Sequence, residues 1–132
     1  MIPVSDVISA VSSEERLSLF KAIASLENSD SSILRKELNL TRKQFYSSMK
    51  KLVDSHLVKR TSGKYHLTSL GEIIFNMQTK VEIALKNHWK LKALDSIIKF
   101  TDNKDVTAQE RQMIVDKLID NNEIKTMLIS QR

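Results

Sequence analysis

Thr41-Arg-Lys-Gln-Phe-Tyr-Ser-Ser-Met-Lys-Lys-Leu-Val-Asp-Ser-His-Leu-Val-Lys-Arg-Thr-Ser-Gly-Lys-Tyr-His-Leu-Thr68 changes its hydrophobic period in mid-course. Up to Ser55 the apolar residues Phe45, Met49, Leu52 and Val53 follow the four-three-one spacing of one buried helical stripe, and Thr41 is placed to cap a helix beginning at Arg42. The opposite face reads Arg42, Lys43, Tyr46, Ser47, Lys50. After Ser55 the period shortens. Leu57-Val-Lys-Arg-Thr61 and Lys64-Tyr-His-Leu-Thr68 are joined by Ser62-Gly63, the pattern of a β-hairpin with a two-residue turn. Such a turn needs a positive φ, which Gly63 supplies at no steric cost.

On the N-terminal side, Val4, Val7, Ile8 and Val11 have helical spacing, and Ser12 with Glu15 reads as a capping box for a second helix carrying Leu17, Phe20, Ile23, Ala24 and Leu26. The polar stretch Glu27 to Ser31 ends that helix and caps a short one bearing Ile33, Leu34 and Leu38, and Asn39-Leu40-Thr41 is a tight break. On the C-terminal side, Ser69 with Glu72 reads as a second capping box, opening one helix from Leu70 to about Phe100. Its residues Leu70, Ile74, Met77, Val81, Ala84, His88, Leu91 and Ile98 alternate fours and threes, the seam of a helix pair. Trp89, with Leu85 and Ile97, is expected to form a second stripe under the C-terminal helices. Thr101 to Asp105 reads as a loop, Thr107 with Glu110 as a third capping box for a helix bearing Met113, Ile114, Leu118 and Ile119, and Asn121-Asn122 as the break before a last short helix.

Composition narrows the chemistry. A chain of 132 residues supports one compact domain, or one small domain with an appendage. With no Cys it has no disulfides, no Cys-ligated metal and no thiol nucleophile, and the histidines His56, His66 and His88 show no ligand spacing, so no cofactor or metal is expected. Two Gly and one Pro imply long uninterrupted elements, hence a mainly α fold. No apolar run approaches the ~20 residues that cross a bilayer, and Met1 to Asp6 lack a basic region followed by an apolar stretch, so a cytoplasmic, nucleoid-associated protein is expected. No Gly-rich phosphate loop, nucleophile elbow or paired carboxylates point to an enzyme.

The charge is unevenly spread. Between Arg35 and His66 nine basic residues face two acidic ones, a net +7, which leaves −2 for the rest of a chain whose total is +5. A basic block of this kind is the footprint of a polyanion-binding surface. Two helices joined by a short turn, the second basic on its exposed face and followed at once by a basic hairpin, make a winged helix-turn-helix over residues 1–69, with a helical dimerisation region over 70–132. The expected fold is thus mainly α with a small β-hairpin wing, a long C-terminal helix and short terminal helices.

Ser32 to Arg60 resembles the core of winged-helix transcriptional regulators of the ArsR/MarR type, especially their archaeal relatives. Tyr65-His-Leu-Thr-Ser-Leu-Gly71 is similar to that family's strand ending in Leu-Thr-x-x-Gly, after which a dimerising helix commonly begins. The resemblance covers roughly residues 14–75 and implies a DNA-binding regulator. The chain departs from the pattern where the family's common Gly before the wing is His56, which would sit in the left-handed region, and in lacking the Cys or clustered His of metal-sensing members.

The residues expected at DNA follow from the helical face and the hairpin. Lys43, Gln44, Tyr46, Ser47 and Lys50 fall on the exposed face of the recognition helix, with Gln44, Tyr46 and Ser47 the candidates for base edges or sugars. Tyr46 has the alternative of packing its ring on a neighbouring helix. Arg42, Lys51, Lys59, Arg60 and Lys64 are assigned to phosphates, against the alternative of ordinary surface charge. The leading function is a sequence-specific regulator of double-stranded DNA, a homodimeric repressor joined through Leu70, Ile74, Met77, Val81, Ala84, His88 and Leu91. The competing one is a winged-helix scaffold for protein interactions in transcription or replication machinery. The sequence leaves open whether the residues after Leu70 dimerise or fold back on their own domain.

Overall fold

In the computed structural model, which describes residues 1–100 and 107–130, the order is α1 (Val4–Ala10), α2 (Glu14–Ser25), β1 (Ser29–Asp30), α3 (Ser31–Leu38), α4 (Arg42–Asp54), β2 (Val58–Thr61), β3 (Lys64–Leu67), α5 (Ser69–Lys86), α6 (His88–Phe100), α7 (Ala108–Leu118) and α8 (Asn122–Ser130). The described chain is mainly helical with one small antiparallel sheet in the order β1-β3-β2. It divides into two compact units, Met1–Met77 and Gln78–Arg132, so the division falls inside α5 and not at the helix start expected at residue 70. The reason is packing: Ile74 and Phe75, in the second turn of α5, lie against the first unit's core.

That core is built on Leu19, Phe20, Ile23, Leu34, Phe45, Leu52 and Leu57. Burying each such side chain contributes about 1.5–3 kcal/mol. In α2 the buried face is Leu19, Phe20 and Ile23, so Leu19 replaces the expected Leu17. The cap of α2 is Ser13, whose hydroxyl accepts from Arg16 N–H, and not Ser12. Glu15 is thereby free to accept from Ser48 Oγ at 2.6 Å. Arg16 reaches back, donating from Nε to Ala10 O at 2.9 Å and from Nη2 to Ser9 O at 3.0 Å, and so satisfies carbonyls at the end of α1.

Asp30 caps α3 by accepting from Ile33 N–H, and Asn39, left-handed at φ 54°, closes it while Leu40 N–H donates to Arg35 O. This is the tight break before α4. Thr41 and Gln44 form a complete capping box: Gln44 N–H donates to Thr41 Oγ1 and Thr41 N–H to Gln44 Oε1. In α4 Ser48 joins Phe45, Met49 and Leu52 on the buried stripe, and Val53, expected there, is 37% exposed. Ser48 is tolerated because its hydroxyl is satisfied by Glu15.

The hairpin has the expected two-residue turn, with both Ser62 (φ 53°) and Gly63 (φ 78°) left-handed, as a type I′ turn requires. His56 is left-handed as well, at φ 61°. The expected polar connection before α3 contains a strand: Ser29 pairs with Tyr65 and Asp30 with Lys64, adding β1 to β3. At the far end of the hairpin Leu57 O accepts from Thr68 N–H at 3.0 Å, Thr68 Oγ1 donates to His56 O, and Gly71 N–H donates to Thr68 Oγ1 at 2.9 Å. Thr68, not Ser69, therefore caps α5, and Ser69 with Glu72 is not the capping pair.

The expected single helix from Leu70 to Phe100 is broken at Asn87, whose N–H is shared between Ile83 O and Ala84 O and whose side-chain Nδ2 donates to Ile83 O at 2.8 Å. An Asn side chain that bonds its own helix's carbonyls competes with continuation of the helix. The second unit's core is Leu94, Val115, Ile119 and Ile124. Thr107 caps α7, accepting from Glu110 N–H, and Asn121 Oδ1 accepts from Ile124 N–H at the start of α8. Lys90 hydrogen-bonds Asp120, and that bond together with the ammonium charge holds the carboxyl below its usual range. The expected loop Thr101–Asp105 lies outside the described residues. Leu85 and Trp89 are 68% and 75% exposed, so the expected stripe of Trp89, Leu85 and Ile97 under the C-terminal helices does not form.

A β-carbon at Gly71 would stand 2.1 Å from Leu57 O, a backbone atom with no freedom to withdraw. Gly71→Ala should therefore cost about 3 kcal/mol in a urea titration. At Gly63, where the constraint is φ alone, Ala should cost only about 1–2 kcal/mol.

Candidate nucleic-acid interface

The capping box fixes where α4 begins, and the stripe of Phe45, Ser48, Met49 and Leu52 fixes which way it turns. At about 100° per residue, the direction opposite that stripe belongs to Lys43, Ser47 and Lys50. All three are exposed. Arg42 and Tyr46 lie on one flank. Lys51 and Gln44 lie on the other, where Lys51 borders a shallow groove with residues 1–3. Lys50 pairs with Asp54 at 2.7 Å, but with both side chains well exposed the pair holds the ammonium only weakly. Gln44 Oε1 is committed to Thr41 N–H, so a contact with a base edge that used both ends of its amide would require opening the box.

Strand alternation sorts the hairpin. Register places Arg60 opposite Tyr65 and Val58 opposite Leu67, so these four share one face. Lys59 opposite His66, and Thr61 opposite Lys64, share the other. The first face belongs to α4: the Tyr65 ring meets Phe45 edge-on at 5.8 Å, Phe45 meets Tyr46 at 5.1 Å, and the Arg60 guanidinium lies 5.7 Å from the Tyr65 ring centre. A continuous run of rings thus ties Arg60 to Tyr46. Tyr46 stays 46% exposed, and its ring contact is to Phe45 of its own helix, not to a neighbouring one.

The basic residues assigned together to phosphates consequently part company. On α4, Lys43 and Lys50 point away from the buried stripe while Arg42 and Lys51 lie on opposite flanks; on the hairpin, Arg60 is on the face that meets α4, Lys59 is on the other face and Lys64 stands beside the turn. The missed residue is Ser48, with Glu15 as its partner; an alcohol on an otherwise apolar stripe was the available signal. Among the described residues no three His, Asp or Glu side chains converge as a metal site.

The residues expected at a helix-pair seam are also divided. Ile74 packs into the first core, and Ala84 and Leu91 pack into the second. Leu70, Met77, Val81 and His88 are exposed. Together with Ile73 and Leu85, Leu70, Met77 and Val81 leave an apolar stripe along α5 without a partner in the described chain.

Burial pushes the Tyr65 phenol above its ordinary value, against the pull of Arg60 and with a smaller push from Tyr46. An unfolded phenol loses its proton near 10, before the buried one does, so stability from this group is complete below that pH and is lost as pH rises through the folded value. An absorbance titration of the two tyrosines should show one late component that Tyr65→Phe abolishes, and the variant should lose less stability than the parent above pH ~10.

Comparison of the chain with protein-family models, with curated proteins and with solved structures gave no match.

Proposed function

We propose that the first unit is a winged helix-turn-helix that binds double-stranded DNA, and that the protein is a sequence-specific, homodimeric transcriptional regulator repressing by occupancy of its site. In this reading α3 and α4 are the helix-turn-helix, α4 enters the major groove, and the β2–β3 hairpin is the wing. The supporting observation is the arrangement on α4. Lys43, Ser47 and Lys50 project opposite a buried stripe, and the Tyr46–Phe45–Tyr65 contacts link Arg60 to the flank of α4 that bears Tyr46. A helix matches the ~12 Å width of the major groove, and Arg60 is then available to phosphates or to the adjacent minor groove.

The apolar stripe on α5 supports the dimer. Ile73, Met77, Val81 and Leu85 are each more than half exposed. They repeat every fourth residue, a ridge that favours two copies crossing at about −50° over the long coiled coil implied by a four-three seam.

Affinity for a DNA duplex, followed by gel shift across salt concentrations, tests the reading. Lys43→Ala, Lys50→Ala and Arg60→Ala should each reduce the salt slope by about one, with Lys51→Ala and Lys59→Ala closer to the parent. Unchanged binding in the Lys43, Lys50 and Arg60 triple variant would refute it. Met77→Glu with Val81→Glu should convert a dimer to a monomer by light scattering.

A further inference from the structure

The face of the hairpin turned away from α4 looks into a cleft of about 620 Å³, within the size range of small-ligand sites. Its floor is apolar, made by Ile23, Ala24 and Phe75, with Leu67 bordering it at the end of β3 and Phe75 held edge-on to Phe20 at 6.1 Å. Its walls carry opposite chemistries on separate elements. Lys59 and His66, directly paired across β2 and β3, supply an ammonium and an imidazole N–H. On other elements of the lining, Glu27, two residues past the end of α2, and Glu72, in the first turn of α5, supply carboxylates. Asn28, left-handed at φ 62°, turns the chain from α2 into β1 at the rim.

Among the described residues these four polar groups make no ion pair or hydrogen bond with one another. The two walls therefore remain available to something placed between them. The two carboxylates oppose a phosphate or any other polyanion, and the ammonium opposes a simple cation. No three metal-ligating side chains converge here. The complement that satisfies both walls and the floor is a small molecule with a carboxylate at one end, an ammonium at the other and an apolar branch.

We propose that this cleft binds a zwitterion with an apolar side chain, an α-amino acid by chemical class, with its carboxylate on Lys59 and His66 and its ammonium on Glu27 and Glu72. Binding needs nothing from the DNA reading. Its consequence rests on that reading: Lys59 and His66 stand on the same two strands as Arg60, so an occupied cleft fastens the hairpin to α2 and α5 and changes where Arg60 can reach.

The test is a two-dimensional amide NMR titration of the full chain without DNA, adding L-valine, L-leucine, L-methionine and L-phenylalanine one at a time to millimolar concentrations. At least one should give saturable shifts at Lys59, His66 and Glu72, and isocaproate and isopentylamine, each lacking one charged end of leucine, should bind about tenfold more weakly or not at all. Lys59→Met and Glu72→Gln change exposed side chains, so circular dichroism should match the parent while the saturable shifts are lost. Absence of shifts with all four amino acids, equal binding of isocaproate and leucine, or persistence of the shifts in both variants would overturn the proposal. Gel shifts with and without the bound amino acid then separate the two readings, because a chain that binds the amino acid but no duplex overturns only the DNA-binding function.

Discussion

The carbonyl of Leu57 is where three elements meet backbone to backbone. It accepts from Thr68 N–H, and Gly71 passes so close that no side chain fits between them. Leu57 N–H in turn donates to Leu52 O at the end of α4. A hairpin of two four-residue strands is marginal alone. Here it is held at its open end by this junction, along one edge by β1, and on one face by the Tyr65–Phe45 contact. The position of Arg60, the cleft behind the hairpin and the start of α5 all inherit their geometry from that point.

Much of this was legible from residue types and spacing. Thr41, Phe45, Met49 and Leu52 located α4 to within a residue of each end, Ser62-Gly63 located the turn, and the left-handed conformation expected of His56 is the one it adopts. What escaped had physical reasons. Strand β1 is two residues long, too short to show an alternating pattern, and its pairing with β3 is set by tertiary contact. Ser12 and Ser13 offer the same capping chemistry, and only the hydrogen bond to Arg16 distinguishes them. Heptad spacing runs straight through Asn87, because an apolar pattern does not register a side chain that bonds its own helix's carbonyls.

The candidate surface shows the limit of counting charge. A net +7 over residues 35–66 marks a region, but on a hairpin successive residues point opposite ways. Lys59 and Arg60 are neighbours in sequence and occupy opposite faces. Gln44 shows a different limit: expected at a base edge, its side chain completes the cap of α4, and its single Oε1 can serve only one of the two at a time.

Of the five described residues with positive φ, only Gly63 is a glycine; Asn28, Asn39, His56 and Ser62 fill the others. Left-handed geometry at a residue with a β-carbon strains the native chain by about 1–2 kcal/mol. The same β-carbon removes conformations from the unfolded chain, by an amount worth ~0.4–1 kcal/mol per site relative to glycine. Much of the local strain at these four turns is therefore offset in the ensemble the protein folds from, and a chain with two glycines begins folding from a less disordered state than its turns would suggest.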